Sequence, residues 1–279
     1  MDGSAQEGRL PAGPTSSGRR RTDGLRGHTA LVTGAGLVGT EIAVTLAEAG
    51  AGAVVVADLS EARAEEAAGA VRAAGADALA VAGDITEAAD VAALATAVAG
   101  WGRTVQILVN NAGMPPGFFE GPSGMLRFVD TTPDDWEPVL RLNLTAVLQV
   151  THAFLRPMLD SGWGRVITVV SDAGRVGEAR MAAYAAAKAG AAGFMRSLAT
   201  EVGRHGVTAN CLSLGTIWRQ GPDTPPSEEA RRDIARRYPV GRLGTPADVA
   251  AMVRFLASDA AEWITGQVYP VNGGYSYAQ

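Results

Sequence analysis

The sequence His28-Thr-Ala-Leu-Val-Thr33-Gly-Ala-Gly36-Leu-Val-Gly39 places a short apolar run directly before a glycine-rich turn. The apolar run predicts a buried strand, and the apolar spacing from Thr40 to Ala49 predicts a helix after the turn. Glycines in such a turn let the backbone approach a pyrophosphate, which then lies at the positive N-terminus of the helix. The order strand, glycine turn and helix is therefore typical of a dinucleotide-binding unit.

The next predicted strand, Ala53-Val-Val-Val-Ala57, ends at Asp58. A carboxylate at this place can accept hydrogen bonds from the adenosine ribose hydroxyls, and it repels a 2′-phosphate. No Arg or Lys lies in the glycine turn. These observations predict NAD in preference to NADP. Arg63, on the helix that follows, is predicted to be a solvated charge.

Strands and helices continue to alternate along the chain. One helix is predicted over Ser60–Ala74. A second is predicted to begin with a cap at Thr86, to carry Glu87 in its first turn and to end at Gly100. A third is predicted to begin with a cap at Thr245-Pro-Ala-Asp248. Strands are predicted over 78–82, ending at Gly83-Asp84, over 105–109, ending at Asn110-Asn-Ala-Gly113, and over 267–271. This alternation predicts the α/β class, with a doubly wound parallel sheet and helices on both faces.

Ser171 follows the β-branched run Val166-Ile-Thr-Val-Val170, at the end of a predicted buried strand. Tyr184 and Lys188 follow in an Ala-rich run, Met181 to Thr200, that is predicted to be helical. Residues four apart share a helix face, so both side chains can point into one cleft. A nearby cation lowers the pKa of a phenol, and a serine hydroxyl can hold the reacting oxygen. The trio therefore predicts proton transfer to or from an alcohol.

Composition argues against several classes of partner. The 279 residues are 47% hydrophobic and 19% charged, which is typical of one large globular domain without a membrane span. A net charge of −5 argues against nucleic acid or an anionic membrane as a partner. The lone Cys211 fits a reducing compartment, so a cytoplasmic location is expected. The three histidines, at 28, 152 and 205, have no metal-ligand spacing, so no metal is expected.

Residues 1–26 differ from the rest of the chain. They are rich in Gly, Ser, Pro and Arg and lack apolar periodicity, which predicts a disordered N-terminal tail. Arg19-Arg20-Arg21 suggests a twin-arginine export signal, but no apolar segment follows it, so that interpretation is rejected. A single Rossmann-type catalytic domain is predicted over residues 27–279.

Together these motifs resemble those of the short-chain dehydrogenase/reductase family. The matching motifs are Thr33-Gly34…Gly39, Asp58, Asn110-Asn-Ala-Gly113, Asn143, Ser171, Tyr184-x-x-x-Lys188 and Asn272-Gly-Gly274. The resemblance covers residues 27–279 and implies a Rossmann-type domain with a seven-stranded parallel sheet, usually assembled as a homotetramer. It also implies hydride transfer between a nicotinamide and a small-molecule carbonyl/alcohol pair.

The resemblance implies a role for each matching residue. Tyr184 would be the acid/base, Lys188 would lower its pKa and hold the nicotinamide ribose, and Ser171 would bind the substrate oxygen. Asn143 would hold a water that links Lys188 to solvent. The residues expected to bind the cofactor are Gly34, Gly36, Leu37, Val38, Gly39, Asp58, Leu59, Asp84 (at the adenine), Ile85, Asn110, Ala112, Gly113, Tyr184, Lys188, Gly215 and Ile217.

Three segments depart from the family's pattern. The glycine turn is one residue shorter than T-G-x-x-x-G-x-G, and Gly36-Leu-Val-Gly39 resembles the turn of members that act on nucleotide sugars. Leu214 and Arg219 stand where the family commonly has Pro and Thr beside the nicotinamide carboxamide, which Ile217 can still bind through its backbone. The segment Met114–Asp130 is a few residues longer than usual.

The segments 114–130 and 217–240 are predicted to form the substrate wall. Their large apolar side chains favour an apolar or cyclic substrate, although core or interface packing explains them equally well; they include Phe118, Phe119, Met125, Trp218 and Tyr238. Residues 171–177, Ser-Asp-Ala-Gly-Arg-Val-Gly, resemble a segment of dehydrogenases that act on cyclic hydroxyacyl-CoA compounds. Arg127, Arg175 and Arg180 are predicted to be solvated rather than to bind an anion.

These observations favour an NAD(H)-dependent alcohol dehydrogenase or ketoreductase. One alternative, suggested by the glycine turn, is a nucleotide-sugar redox epimerase or dehydratase, which usually needs a larger C-terminal substrate domain than this chain offers. Another alternative is a non-catalytic dinucleotide-sensing protein, against which the intact set of Ser171, Tyr184 and Lys188 argues.

Overall fold

The computed structural model describes residue 25 and residues 27–113, 126–218 and 228–277. Several predictions therefore lie outside the described residues. They are the disordered tail, the apolar wall residues of segment 114–125, and the effect of Arg219.

In this described part of the chain, seven parallel strands form one sheet in the order β3-β2-β1-β4-β5-β6-β7. The strands are β1 (Thr29–Thr33), β2 (Ala53–Asp58), β3 (Asp77–Ala82), β4 (Val105–Asn110), β5 (Gly164–Ser171), β6 (Val207–Leu214) and β7 (Val268–Val271). The predicted Rossmann-type sheet is confirmed. The strand order reverses between β1 and β4, and ligands of such sheets bind where the carboxyl ends diverge at this switch point.

The helices that connect the strands cover both faces of the sheet. They are α1 (Leu37–Glu48), α2 (Glu61–Ala73), α3 (Ala88–Gly100), α4 (Pro133–Leu140), α5 (Ala146–Ser161), α6 (Ala173–Val176), α7 (Ala182–Val202), α8 (Glu228–Ala235) and α9 (Pro246–Ala257). A π-helical turn, Arg141–Thr145, joins α4 to α5.

Two apolar cores lie on opposite faces of the sheet. Helices α1, α2 and α9 pack on the first core, and α3, α5 and α7 pack on the second. Successive residues of one strand belong to different cores, as Leu31 and Val32 of β1 show. This alternation follows from the two-residue period of a strand, and it explains why the buried strands read as continuous apolar runs.

The start of α3 differs from the prediction. Thr86 does not cap this helix, because Glu87 is the N-cap residue and makes no side-chain cap hydrogen bond. The Thr86 N–H instead donates to Asp84 Oδ1 at 2.9 Å. At α9 the predicted cap is present, because Thr245 and Asp248 form a reciprocal capping box.

Leu25 lies before the predicted domain boundary at residue 27, yet its side chain is fully buried. It packs in the first core, and its N–H donates to the carbonyl of Ala49 at 3.0 Å. The folded core therefore includes a residue that composition assigns to the tail.

Leu25→Ala is predicted to lower the free energy of unfolding by about 2–4 kcal/mol, because it leaves a cavity in a closed core. Urea denaturation of the cofactor-free protein measures this change. The matched control is Leu59→Ala, because the Leu59 side chain is 56% exposed, and it should cost about 0.5 kcal/mol or less. Equal losses in the two variants would contradict the assignment of Leu25 to the core.

Candidate active site

Ser171 is the last residue of β5, at the carboxyl edge of the sheet. Its hydroxyl oxygen accepts a hydrogen bond from the Ala173 N–H at 3.2 Å. The same hydroxyl is hydrogen-bonded to that of Tyr184, near the start of α7. The structure therefore brings together a serine and a tyrosine that are separated by a loop and a short helix in the sequence.

Lys188 lies one helical turn after Tyr184 on α7, and only 3% of it is exposed. Its Nζ donates to the carbonyl of Val169 at 2.9 Å and lies 5.7 Å from the centroid of the Tyr184 ring. It is also the only lysine in the 279 residues. The ammonium is thus buried behind the tyrosine and held by the backbone of β5.

Burial is the largest influence on the pKa values of Tyr184 and Lys188. It raises the pKa of Tyr184 to about 12, against the opposite effect of the hydrogen bond from Ser171. It lowers the pKa of Lys188 to about 8. Desolvation disfavours the charged form of each group, and the Lys188 ammonium donates to Val169. The role of Lys188 in lowering the pKa of Tyr184 stays a prediction.

Asn143 lies in the π-helical turn and is fully buried. Its Nδ2 donates to the carbonyl of Val139 at 3.0 Å, whereas its buried Oδ1 has no hydrogen-bond partner among the described residues. A Cβ placed on Gly113 would lie 2.8 Å from Lys188 Nζ and 3.0 Å from Asn143 Oδ1. The end of β4, α7 and the turn therefore meet at one point, where a side chain at position 113 would crowd the Lys188 ammonium and the Asn143 oxygen.

The shortened glycine turn keeps the features that a pyrophosphate needs. Gly34 has φ +83°, and a Cβ on Gly39 would lie 1.7 Å from the carbonyl oxygen of Gly34, so neither position accepts a larger residue. Gly36 is the N-cap of α1, with open space at its Cβ, and the first turn of this helix holds no acidic residue. The exposed N–H groups of this helix start fit an anionic dinucleotide.

Asn111 fixes this turn against the end of β4, a role that sequence analysis missed. Its Nδ2 donates to the carbonyls of Thr33 and Gly34, both at 3.0 Å, and its N–H donates to Thr33 Oγ1 at 3.1 Å. The available signal was a second amide directly after Asn110. The Asn110 side chain, by contrast, is buried and donates to Thr151 Oγ1 at 3.0 Å, which leaves only its backbone for a cofactor.

Asp58 ends β2 and is hydrogen-bonded on both carboxylate oxygens. Oδ2 accepts from the Ala35 N–H at 2.7 Å, and Oδ1 accepts from the Ser60 N–H at 2.8 Å. Arg63 is exposed, as predicted for a solvated charge, but its Nη2 also lies 2.6 Å from Asp58 Oδ1. Burial acts to raise the pKa of Asp58, but the hydrogen bonds from Ser60, Arg63 and Ala35 outweigh it and lower the pKa. The carboxylate is therefore ionised at neutral pH.

Other predicted cofactor residues line the same edge or support it. Leu37 and Leu59 are exposed, at the start of α1 and directly after β2. Val38 and Ile85 pack against the first and second core, and Ala112 lies against Gly34. Asp84 Oδ1 accepts only from the Thr86 N–H among the described residues.

The Tyr238 side chain packs against the segment that follows β6. Gly215 lies against the Tyr238 ring, and Ile217 forms an isolated bridge with Gly244. The Tyr238 side chain is buried, and its hydroxyl donates to Thr216 Oγ1 at 2.8 Å. Of the two interpretations of this side chain, substrate wall and core packing, the structure supports core packing for Tyr238, because its ring is packed beneath the segment.

Arg175 also differs from its prediction. It is not solvated, because its Nη1 lies 3.0 Å from Asp172 Oδ1 and its side chain is only 18% exposed. Arg127 is exposed and pairs with Asp130 at 2.7 Å. Arg180 is exposed and has φ +69°.

The family model described as Enoyl-(Acyl carrier protein) reductase matches residues 35–276. The chain is a short-chain dehydrogenase/reductase. This short-chain dehydrogenase/reductase is 37% identical over 251 residues to a 3-oxoacyl-[acyl-carrier-protein] reductase of Pseudomonas aeruginosa, covering 90% of this chain and 98% of that protein. It is 38% identical over 255 residues to the cis-4-hydroxycyclohexanecarboxylate dehydrogenase of Sinomonas cyclohexanicum. This match covers 89% of this chain and 96% of that protein.

A solved structure supports the same assignment. The crystal structure of a short-chain type dehydrogenase/reductase from Mycobacterium marinum matches with a TM-score of 0.81 and 27% identity, covering 92% of this chain and 98% of that one. The chain is therefore an oxidoreductase of a family that uses nicotinamide cofactors and acts on alcohol and ketone groups. Within the described ranges, no helix is both long and apolar enough to cross a membrane, and no cluster of side chains is suited to a metal ion.

Lys188 is predicted to make stability depend on pH. Its folded-state pKa is lowered from 10.5 to about 8, so the unfolded chain binds more protons between these values and stability rises with pH across that window. Below about pH 8 the buried charge imposes its full cost. Lys188→Met should therefore be more stable than the wild type by about 1–3 kcal/mol at pH 7, and this difference should shrink towards pH 10.

Urea denaturation of both proteins at a series of pH values measures the difference. Because the chain has one lysine, labelling with lysine that carries ¹⁵N at Nζ gives one side-chain signal, whose titration reports the pKa directly. A midpoint near the free-lysine value of about 10.4 would contradict the prediction.

Proposed function

We propose that this protein is an NAD(H)-dependent alcohol dehydrogenase or ketoreductase that interconverts a secondary alcohol and its ketone. The observation that carries the proposal is the hydrogen bond between Ser171 and Tyr184 at the carboxyl edge of the sheet, with Lys188 buried behind it. The site thus combines a hydroxyl that can hold the reacting oxygen, a phenol that can exchange a proton, and an ammonium that can supply one.

Tyr184 exchanges the proton in both directions of the proposed reaction. In reduction, its phenol donates a proton to the oxygen that becomes the alcohol, while Ser171 donates a hydrogen bond to the same oxygen. In oxidation, the phenolate accepts the alcohol proton. The nicotinamide, when bound, supplies or accepts the hydride. Because burial raises the pKa of Tyr184 to about 12, the phenol form needed for donation predominates at neutral pH.

Lys188 and Asn143 provide a route by which the proton is replaced. The pKa of Lys188, about 8, allows the ammonium to release a proton near neutral pH. The buried Oδ1 of Asn143 lacks a partner among the described residues, and such an oxygen is normally satisfied by a buried water. We propose that a water bound between Lys188 and Asn143 carries the proton to solvent, in the space left by Gly113.

Asp58 supports NAD as the cofactor. Its ionised carboxylate repels a 2′-phosphate, and Oδ2 accepts one hydrogen bond from the described residues, which leaves a lone pair for a ribose hydroxyl. Arg63 is the group that weakens this selection, because its guanidinium neutralises part of the charge and can itself attract a phosphate.

A cyclic or apolar secondary alcohol is the proposed substrate class. The dehydrogenase of Sinomonas cyclohexanicum is named for a ring alcohol, and residues 171–177 resemble a segment of enzymes for cyclic hydroxyacyl compounds. We also propose a homotetramer in the cytoplasm. Self-association is supported by exposed apolar side chains, because Trp263 is 91% exposed and Phe255 is 38% exposed.

Turnover with NADH and NADPH, followed by their absorbance, tests the proposed reaction on cyclic and linear ketones and alcohols. Tyr184→Phe is predicted to lower kcat by about 10²–10⁴-fold, because the proton donor is lost, and NADH binding measured by fluorescence should remain. The matched control is Tyr269→Phe, in β7, which should leave turnover unchanged. Wild-type protein that binds NADH without turning over any of these substrates would instead favour a dinucleotide-sensing protein.

Arg63→Ala is predicted to increase the preference for NADH over NADPH by about tenfold, because it removes a cation within reach of a 2′-phosphate. The ratio of kcat/KM values for the two cofactors measures this preference. Arg72→Ala, which removes an arginine of the same helix paired with Glu65, is the matched control and should leave the ratio unchanged. A wild-type preference for NADPH would overturn the role given to Asp58.

A further inference from the structure

Asp172 follows Ser171 directly, and only 1% of it is exposed. It occupies the N-cap position of the short helix α6, where an aspartate normally accepts a hydrogen bond from the first turn. Its side chain makes no such bond. The buried carboxylate instead contacts the Arg175 side chain of α6 and groups outside this helix.

These contacts join three segments at the carboxyl edge of the sheet. Oδ1 accepts from Ser213 Oγ of β6 at 2.5 Å and from Arg175 Nη1 at 3.0 Å. Oδ2 accepts from Asn272 Nδ2 at 2.5 Å and from Ser276 Oγ at 2.9 Å. We call residues 272–277, which follow β7, the C-terminal segment. One carboxylate thus ties the loop after β5 to β6 and to this segment, about a hundred residues away in sequence.

The C-terminal segment is folded around the same group. Asn272 Nδ2 also donates to the carbonyl of Ser276 at 2.9 Å, and Arg175 Nη2 donates to the carbonyl of Tyr277 at 2.7 Å. Arg175 Nη1 further contacts Ser276 Oγ at 3.1 Å. The segment is therefore held by a network of charge-assisted hydrogen bonds rather than by apolar packing alone.

The network holds the backbone next to Ser171, on which the orientation of the Ser171 hydroxyl depends. The Ser171 hydroxyl accepts from the Ala173 N–H across the peptide of Asp172, so its orientation depends on the backbone at Asp172. That backbone is held by the Asp172 N–H, which donates to the carbonyl of Leu214 at 3.0 Å, and by the carboxylate contacts. A hydroxyl displaced by an ångström loses much of its effect on a reacting oxygen.

We propose that Asp172 is a positioning residue through which the C-terminal segment holds the Ser171 hydroxyl against Tyr184. The C-terminal segment then contributes to the geometry of the active site. The kinetic consequence of this inference rests on the proposed function. The structural consequence, a coupling between the C-terminal segment and the Ser171 loop, does not.

Hydrogen exchange of the full-length protein tests the coupling without any substrate. Ser276→Ala, and a chain that ends after Gly274, should each exchange amides in residues 171–177 at least fivefold faster than wild type, while β1 and β2 stay protected. Ser161→Ala removes a hydroxyl that bonds to its own helix end at 3.1 Å and is the matched control, expected to be unchanged. Unaltered exchange at 171–177 in both test variants would overturn the proposal.

A double-mutant cycle tests whether the coupling acts through Ser171. Asp172→Asn should lower kcat by about 10–100-fold, with the Kd for NADH unchanged within about twofold, and it should cause no further loss in a Ser171→Ala background. Asp160→Asn, in a surface pair with Arg156, is the control and should be neutral. Losses that multiply in the double variant would show that Asp172 acts independently of Ser171 and would overturn the positioning role.

Ser276→Ala replaces Asp172→Asn in the cycle if the latter variant does not fold, because it removes one hydrogen bond from an otherwise intact network. Failure of the proposed function is recognised separately, as wild-type protein that turns over none of the substrates. In that case the hydrogen-exchange result alone confirms or overturns the coupling.

Discussion

The buried ammonium of Lys188 constrains the whole carboxyl edge of the sheet. A charge removed from water needs a partner, and the carbonyl of Val169 in β5 provides one at 2.9 Å. The end of β4 passes close by, so that a Cβ at position 113 would lie 2.8 Å from Lys188 Nζ. Helix α6 also has to lie against the backbone of α7, since a Cβ on Gly174 would lie 3.0 Å from the Ala189 nitrogen. An alanine-rich helix permits this approach, because its side chains are short.

The protein interior contains apolar cores and a smaller set of buried polar groups. Both faces of the sheet are covered by apolar side chains, which fix the fold but offer no reactive groups. Four buried polar groups lie near the carboxyl ends of the strands, namely Asp58, Asn143, Asp172 and Lys188, whereas Arg165 is buried near the start of β5. Parallel strands present their carboxyl ends at one edge, so residues distant in sequence are collected there by topology alone. The oxidoreductase site is a consequence of this arrangement.

The strands and helices could be predicted from the sequence because their signals are local. Apolar runs, helical spacing and caps depend on neighbouring residues, and the helix cap at Thr245 was predicted from the four residues 245–248. The same local reasoning failed at Thr86, whose N–H donates to the Asp84 side chain, while Glu87 takes the N-cap position. Ser171, Tyr184 and Lys188 could be recognised because their spacing, one strand end and one helical turn, is itself local.

The sequence by itself determined the alternation of strands and helices, the glycine turn, and the residue types of the candidate site. The tertiary structure alone decided the partners of the charged groups. Asp172 is hydrogen-bonded to Ser213 in β6 and to Asn272, a hundred positions later. Arg175 was predicted to be solvated but donates to the carbonyl of Tyr277. The physical reason is that periodicity and propensity act over a few residues, whereas an ion pair or a buried hydrogen bond depends on which chain segments the sheet order brings within about 3 Å.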